Sequence, residues 1–260
     1  MDSLREMWGQ GKATFGGWLG IPSSESAETA ARAGFEYVCV DNQHGAVDYQ
    51  VTVTMIQAII LGGSNPIVRV PWNEPGIVGK MLDAGAEGVI VPMVNSADEA
   101  RAVVRYACYP PAGARSFGPV LSGLRDPQYA VNANGRVAVV PMVETVEALR
   151  TIDEIVAVPG VNAIYVGPAD LSFSLGLPPQ NNDGEALFED ALAAIVKACR
   201  NAGVVPGIHA SGALAARRLE QSFQMITVSN DMLAMRTRMA AELAESRGTA
   251  PQAGGGKNVY

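Results

Sequence analysis

Histidine and cysteine are scarce in this sequence. Two histidines, His44 and His209, occur among 260 residues. A zinc centre needs clustered nitrogen or sulfur ligands, so any metal here must be held mainly by carboxylates. The three cysteines, Cys39, Cys108 and Cys199, are odd in number and lie in apolar or helical surroundings. Scattered, unpaired thiols are typical of a reducing compartment, and we therefore expect a cytoplasmic protein.

Basic charge, aromatic side chains and long apolar runs are also scarce. Lys and Arg number 19 against 26 Asp and Glu, which gives a net charge of −7, and no basic cluster is present. The sequence therefore lacks the positive surface on which binding to nucleic acids and anionic membranes depends. Apolar runs stay below the about 20 residues of a membrane span, and Asp2, Arg5 and Glu6 interrupt the N-terminus where a signal peptide would be apolar. We expect small-molecule partners, with no nucleic acid and no membrane.

Several catalytic motifs are missing. The sequence has no Gly-x-Ser-x-Gly elbow of serine hydrolases, no Gly-x-Gly-x-x-Gly dinucleotide fingerprint and no Walker A loop. Its four lysines lie outside the apolar runs in which a desolvated Schiff-base amine would have to be placed; they are Lys12, Lys80, Lys197 and Lys257. We therefore expect neither a nucleotide cofactor nor an imine-forming lysine.

Short apolar runs alternate with amphipathic segments along the whole chain. Apolar residues make up 48% of it, and 28 glycines and 16 prolines separate the runs. Strands that are apolar on both faces and alternate with helices are typical of a parallel sheet, and eight such units fit an α/β fold of the (β/α)₈ TIM barrel type. The eight predicted strands are Thr14–Leu19, Tyr37–Val40, Ile67–Val70, Gly88–Val91, Val137–Val143, Ala163–Val166, Val205–Ile208 and Met225–Val228.

Local signals mark the limits of several helices. Ser96 and Glu99 have the spacing of a capping box, which predicts a helix start. Gly62, Gly85 and Gly203 lie where helices are expected to end.

The chain shows no change of composition that would divide it into two domains. We predict one barrel domain over residues 1–247 and a flexible C-terminal tail over residues 248–260, which contains three consecutive glycines. The stretch 113–134 is longer than an ordinary loop, and we interpret it as an elaborated loop.

Polar residues follow most of the predicted strands. The carboxyl ends of the strands form the active face of such a barrel, so these side chains should converge there. Two carboxylates, Glu144 and Asp170, would make an oxygen site suited to Mg²⁺ or Mn²⁺, with Co²⁺ tolerated. The residues at the strand ends are Asp41 to His44, Arg69, Glu144, Asp170, His209 and Ser229 to Asp231.

Each of these residues also has a purely structural interpretation. Glu144 and Asp170 could be acidic residues in the first turn of a helix, where negative charge is favoured. Arg69 could form a structural ion pair with Asp41 or with Asp83. The two histidines could lie in turns, and for the histidine at position 209 a turn is the interpretation that we favour.

Taken together, the same residues indicate metal-assisted chemistry on a 2-oxo acid. Such a substrate could bind a divalent cation through its carboxylate and keto oxygens. Arg69 could then pair with the negative charge that develops, and His44 could move a proton.

Five segments of the chain resemble the HpcH/HpaI family of metal-dependent pyruvate aldolases, in the order and spacing of that family. The resemblance extends from about residue 13 to about residue 245. The segments are 68–73 (VRVPWN), 82–94 (LDAGAEGVIVPMV), 109–115 (YPPAGAR), 143–145 (VET) and 166–172 (VGPADLS).

The resemblance implies a fold, an assembly and a set of roles. It implies a (β/α)₈ barrel assembled as a hexamer, a trimer of dimers, with an exchanged C-terminal helix. Glu144 and Asp170 match the two metal ligands of the family, and Arg69 matches the residue that stabilises the enolate. His44 matches the general acid or base, and Asp83 the acid that raises the basicity of that histidine.

The substrate-binding segment also has counterparts in the family. Ala169 would offer its backbone N–H to the substrate carboxylate, beside Gly167 and Pro168. The sequence departs from the family at two positions: relatives often have Glu where this chain has Gln43, and a substrate-binding Gln where this chain has Met142. We therefore expect an aldolase that joins pyruvate or hydroxypyruvate to an aldehyde, with an altered substrate range.

Two alternatives stay open at the level of sequence. One is a metal-dependent decarboxylase of 2-oxo diacids such as oxaloacetate. The other is a barrel that binds 2-oxo acids without catalysis. His209 could also shape the aldehyde pocket, although we favour a loop position for it.

Overall fold

The computed structural model describes residues 2–249 and contains a closed barrel of parallel strands in sequence order. The predicted α/β barrel is thereby confirmed. The predicted tail, residues 248–260, lies almost entirely outside the described residues. The strands are β1 (Thr14–Leu19), β2 (Tyr37–Asp41), β3 (Asn65–Arg69), β4 (Gly88–Val91), β5 (Ala138–Val143), β6 (Ala163–Val166), β7 (Val205–His209) and β8 (Met225–Asn230).

Helices surround the barrel and connect the strands. They are α1 (Leu4–Gly9), α2 (Ser24–Arg32), α3 (Tyr49–Gly62), α4 (Pro75–Asp83), α5 (Ala97–Ala107), α6 (Ser122–Arg125), α7 (Tyr129–Arg136), α8 (Val146–Arg150), α9 (Ile152–Val156), α10 (Pro168–Ser174), α11 (Ala186–Ala202), α12 (Ala215–Glu220) and α13 (Asp231–Ser246).

The strands are buried on both faces, because one face fills the barrel and the other packs against helices. In β2, Val38 and Val40 belong to the core between strands and helices, whereas Tyr37 and Cys39 belong to the core inside the barrel. Gly16 of β1 leaves room for the ring of Tyr37, since a Cβ at Gly16 would lie 2.1 Å from that ring. Large aromatic side chains therefore fill the barrel interior.

Two local predictions are corrected. The stretch 113–134, interpreted as a loop, contains α6 and most of α7. In the predicted capping box, Ser96 does accept a hydrogen bond from the backbone N–H of Glu99 at 3.2 Å. The Glu99 carboxylate, however, accepts from the backbone N–H of Asn95 at 2.6 Å. Ser96 thus caps the start of α5, but the Glu99 carboxylate accepts from the residue before Ser96 and not from Ser96 itself, as a capping box would require.

The register of the sheet sets the geometry of the site. Asp41, the last residue of β2, lies opposite Arg69, the last residue of β3. Both side chains thus emerge at the carboxyl end of the barrel. Within the described residues, no helix is both long and apolar enough to cross a membrane.

Candidate active site

Glu144 follows the last residue of β5 and is buried, with 2% of its surface exposed. Its Oε1 accepts a hydrogen bond from the backbone N–H of Met93 at 2.7 Å. Met93 has a positive φ of 56°, a conformation that is costly for a residue with a side chain and that aims its N–H group at the carboxylate. Burial raises the pKa of Glu144 to about 7, and the negative charge of Asp170 acts in the same direction.

Asp170 lies in the first turn of α10 and is exposed. Gly167 precedes this helix and packs against Glu144, because a Cβ on Gly167 would lie 2.6 Å from Oε2 of Glu144. The absence of a side chain at Gly167 thus leaves space beside the buried carboxylate. Within residues 2–249, no larger group of His, Cys, Asp and Glu side chains has the arrangement of a metal site. The arrangement offers two hard oxygen ligands whose charges repel each other, which a divalent cation would relieve.

Arg69 forms a buried ion pair with Asp41. Its Nε and Nη2 donate to the two carboxylate oxygens at 2.9 and 2.6 Å, and both side chains are almost fully buried. Trp18 donates to the same carboxylate through Nε1 at 3.2 Å. Burial opposes ionisation of Asp41, but the hydrogen bonds and charge of Arg69 outweigh it and lower the pKa of Asp41. Of the two partners considered for Arg69, the structure therefore has Asp41.

His44 lies in the turn after β2 and is exposed. Its backbone N–H donates to Oδ1 of Asp41 at 3.2 Å, and the N–H of Gln43 donates to the same oxygen at 3.0 Å. The Oε1 of Gln43 is buried with no hydrogen-bond partner among the described residues. The turn that carries His44 is thus fixed by the carboxylate that also holds Arg69.

Asp83, the last residue of α4, lies in a different cluster. Its Oδ1 accepts from Nη2 of Arg115 at 2.5 Å. Arg115 also lies over the ring of Tyr109, 4.6 Å from its centroid, and donates to the hydroxyl of Tyr129 at 3.1 Å. The pairing of Asp83 with His44 stays a prediction.

A small cavity lies at the carboxyl ends of the strands. Six predicted site residues line it, so the structure brings together Arg69 and the substrate-binding segment. His44 and Asp83 are not among its lining residues, and Glu144 borders it through its contact with Gly167. The lining residues are Trp18, Arg69, Met142, Tyr165, Gly167, Pro168, Ala169, Asp170 and His209.

His209 is the residue whose interpretation is corrected most. It is the last residue of β7 and is buried, whereas the sequence favoured a turn. Its ring packs edge-on against Trp18, with the centroids 5.1 Å apart, and its Nδ1 lies 3.3 Å from the hydroxyl of Tyr165. Burial lowers the pKa of His209 to about 4, and the charge of Arg69 lowers it further. The imidazole is therefore neutral at physiological pH.

A buried hydrogen-bonded network continues from His209 into the barrel. Tyr165 donates to Oγ1 of Thr227 at 2.5 Å, and the hydroxyl of Tyr37 lies 2.9 Å from the same oxygen. Burial raises the pKa of Tyr165 well above its usual value, so its proton is retained. Trp18 stacks on Tyr165 at 5.6 Å. Sequence reasoning missed Trp18 and Tyr165; the only available signal was that both lie in strands near their carboxyl ends.

The chain is similar to known proteins over most of its length. The family model of HpcH/HpaI aldolase/citrate lyase matches residues 15–237. A hydroxypyruvate/pyruvate aldolase of Rhizorhabdus wittichii is 36% identical over 249 residues, which cover 95% of this chain and 99% of the relative. A 4-hydroxy-2-oxo-heptane-1,7-dioate aldolase of Shigella sonnei is 38% identical over 252 residues, which cover 94% of this chain and 93% of the relative.

A solved structure has the same architecture. The crystal structure of an HpcH/HpaI aldolase from Desulfitobacterium hafniense DCB-2 aligns with a TM-score of 0.87 and 28% identity, covering 99% of this chain and 100% of that one. The similarity thus extends over the whole barrel and is not confined to the site.

Proposed function

Since the chain belongs to the HpcH/HpaI aldolase/citrate lyase family, whose aldolases are carbon–carbon lyases, we propose that it is a class II aldolase acting on pyruvate or hydroxypyruvate. It would add the enolate of this 2-oxo acid reversibly to an aldehyde and give a 4-hydroxy-2-oxo acid. The observation that carries the proposal is the pair of carboxylates, Glu144 and Asp170, that flank the side-chain-free Gly167 at the strand ends.

Glu144 and Asp170 would hold the divalent cation, which we propose to be Mg²⁺, Mn²⁺ or Co²⁺. Their oxygens are the ligands that these ions prefer, and the fixed N–H group of Met93 orients the buried carboxylate. A bound cation supplies Lewis-acid chemistry, since it polarises the keto group of the 2-oxo acid. No lysine lines the cavity among the described residues, which supports a mechanism without an imine.

Arg69 supplies the fixed positive charge of the cavity. Asp41 and Trp18 hold its guanidinium in place, so little reorganisation is needed when negative charge develops on an enolate oxygen. The backbone N–H of Ala169 lies in the first turn of α10, where N–H groups have no partner within the helix. We propose that it binds the substrate carboxylate.

The remaining contacts of the 2-oxo acid are apolar or come from the backbone. Gly167 and Pro168 would form the floor beneath it, and Met142 one wall. A thioether accepts hydrogen bonds only weakly and donates none, so this wall excludes water without selecting a polar group.

His44 is the proposed acid and base. In aldol cleavage it would take the proton of the substrate hydroxyl before the carbon–carbon bond breaks. In the reverse reaction, aldol addition, it would return that proton. Its turn is held by Asp41, which connects its backbone to the guanidinium of Arg69. Asp83 is proposed to raise its basicity.

The decisive experiment measures release of pyruvate from a 4-hydroxy-2-oxo acid. Glu144→Gln and Asp170→Asn keep the shape of each side chain but lose its charge, and each should reduce kcat/KM at least 100-fold. Glu147→Gln, an exposed acid three residues along the chain, is the matched control and should retain activity. Chelation should abolish activity, and Mg²⁺, Mn²⁺ or Co²⁺ should restore it.

Two results would contradict the proposal. Full activity after exhaustive chelation would exclude a metal-dependent aldolase. Decarboxylation of oxaloacetate without any aldol cleavage would instead favour the alternative decarboxylase.

We propose that the protein is a homohexamer, a trimer of dimers, in which α13 is exchanged between subunits. None of the residues of α13 is buried, and a groove of about 440 Å³ runs between α2, β1 and the start of α13. An unburied helix with an apolar stripe and a nearby groove support the exchange. All three cysteines are unpaired and buried, which supports the proposed cytoplasmic location.

A further inference from the structure

We propose that Nε2 of His209 accepts a hydrogen bond from a hydroxyl group of the substrate, so that the cavity selects hydroxylated substrates. The inference rests on the proposed aldolase function and names the substrate class that this site prefers. It is carried by the direction of the hydrogen bonds in the buried network that ends at His209.

The network fixes the tautomer of the imidazole. A phenol hydroxyl has one proton to donate. Tyr165 gives its proton to Oγ1 of Thr227, at 2.5 Å. Its oxygen can therefore only accept from Nδ1 of His209, at 3.3 Å, so that the proton of the neutral ring is on Nδ1. Nε2 is left with an unprotonated lone pair.

This lone pair belongs to a residue that lines the cavity. Nε2 forms no hydrogen bond among the described residues. It is also absent from the fully buried polar atoms without a partner, so the atom itself keeps some exposed surface. Trp18 holds the ring from the side, edge to face. The ring is thus fixed by two contacts while Nε2 stays accessible from the cavity.

The polar groups around the cavity leave one requirement unmet. Arg69 and the N–H group of Ala169 are donors, and they suit the keto and carboxylate oxygens of a 2-oxo acid. Pyruvate offers no donor to Nε2. A substrate without a hydroxyl group would therefore bury this lone pair unpaired, which weakens its binding, whereas a hydroxyl group would satisfy it.

The hydroxyl could come from either reaction partner. It is C3–OH if the enolate is derived from hydroxypyruvate, and the α-hydroxyl group if the aldehyde is glycolaldehyde. The chemistry of recognition is the same in both cases, so substrate pairs must separate the two sources.

The test compares kcat/KM for matched pairs in wild type and in His209→Phe. One arm pairs hydroxypyruvate or pyruvate with propanal, and the other pairs pyruvate with glycolaldehyde or acetaldehyde. In the arm whose hydroxyl group His209 binds, the preference for the hydroxylated member should fall on the order of tenfold in His209→Phe, which is the effect of one hydrogen bond. His209→Gln keeps an acceptor and should retain more of the preference.

Two further variants separate the hydrogen bond from packing. Tyr165→Phe keeps the stack on Trp18 but removes the oxygen that accepts from Nδ1, so it should also reduce the preference. Tyr37→Phe removes the other hydroxyl group that contacts Thr227, does not touch His209, and should leave the preference unchanged.

A spectroscopic measurement reads the tautomer directly. The chain has two histidines, so ¹⁵N correlation spectra contain two imidazoles, and His209→Gln identifies the relevant one. We expect a proton on Nδ1 and a shift of the Nε2 resonance when the hydroxylated substrate binds in the presence of Mg²⁺.

The outcomes are distinct. A proton on Nε2, or an equal effect of His209→Phe on all four substrate pairs, would overturn this inference and leave the aldolase proposal intact. If wild type catalysed no aldol reaction with any pair, the proposed function itself would fail, and the inference with it.

Discussion

At the scale of single residues, the site depends on one buried charge pair that has two roles. Removing either partner of the Arg69–Asp41 pair would leave an uncompensated buried charge, which typically costs about 3–5 kcal/mol. The same pair orients the guanidinium toward the cavity and fixes the turn of His44. The structural interpretation of Arg69 is therefore confirmed by its ion pair with Asp41, and its catalytic role stays a proposal.

Replacement of His44 separates two reactions that pass through the same enolate. Aldol cleavage needs a base for the hydroxyl proton, whereas loss of CO₂ from oxaloacetate does not. We expect His44→Ala to lose on the order of 100-fold or more in cleavage and to keep a much larger share of decarboxylation. Arg69→Ala should impair both reactions. Near-normal cleavage by His44→Ala, measured as pyruvate release, would show that the base lies elsewhere.

Gly167 is predicted to be essential for metal binding. In Gly167→Ala, the new Cβ would meet Oε2 of Glu144 at 2.6 Å and the methyl group of Met142 at 3.1 Å, so the carboxylate would have to move. We expect the affinity for Mn²⁺, measured by titration calorimetry, to fall at least tenfold. Gly79→Ala introduces the same methyl group into open space in α4 and is the control. Unchanged Mn²⁺ affinity in Gly167→Ala would place the cation away from Glu144.

The sequence predicted the acidic residues of the site better than its aromatic ones. Glu144 and Asp170 could be proposed because they follow apolar strands, and the carboxyl ends of such strands mark the active face of a barrel. Tyr165 and Trp18 could not be found, because strands that are apolar on both faces give no sign of which residues point into the barrel. His209 was misassigned because strand ends are the least certain part of such predictions.

At the scale of elements, strands were predictable and the short helices were not. Three of the eight strands have the predicted bounds, and the others differ by one or two residues at one end or, in β3, at both ends. Helices α6 and α7 contain Gly and Asn and depend on tertiary contacts. Ser122 donates to the carbonyl of Leu82 at 2.6 Å, and Asn134 forms two hydrogen bonds with the backbone of Tyr109. Such long-range contacts leave no periodic pattern in the sequence.

Helix α13 allows a test of the proposed assembly. Its exposed apolar side chains form one stripe along the helix: Met232, Met235, Met239 and Leu243. We expect Met239→Lys to yield a smaller species in light scattering coupled to size exclusion, because it puts a charge into the proposed contact. Thr237→Lys adds the same charge on the opposite side of the helix and should not change the mass. Equal masses for wild type and Met239→Lys would contradict the exchange.

At the scale of the whole molecule, two buried groups should make opposing contributions to stability. The pKa of Glu144 is raised from 4.5 to about 7. Between these values the folded state holds a proton that the unfolded state has lost, so stability falls as pH rises. The pKa of His209 is lowered from 6.5 to about 4. Between these values the unfolded state holds a proton that the folded state lacks, so stability rises with pH.

The two windows overlap between pH 4.5 and 6.5. The free energy of unfolding of the metal-free wild type should therefore be nearly independent of pH there, since each group changes it by up to about 1.4 kcal/mol per pH unit with opposite sign. In Glu144→Gln only the contribution of His209 remains, so the free energy of unfolding should rise with pH. In His209→Phe only the contribution of Glu144 remains, so it should fall with pH. Urea unfolding at several pH values measures these slopes, and Met142→Leu, a change in the same cavity without a titrating group, should stay flat. If both titrating variants stayed as flat as wild type, neither group would be perturbed by burial, and the buried carboxylate of Glu144 would have to be ionised and compensated even without a cation.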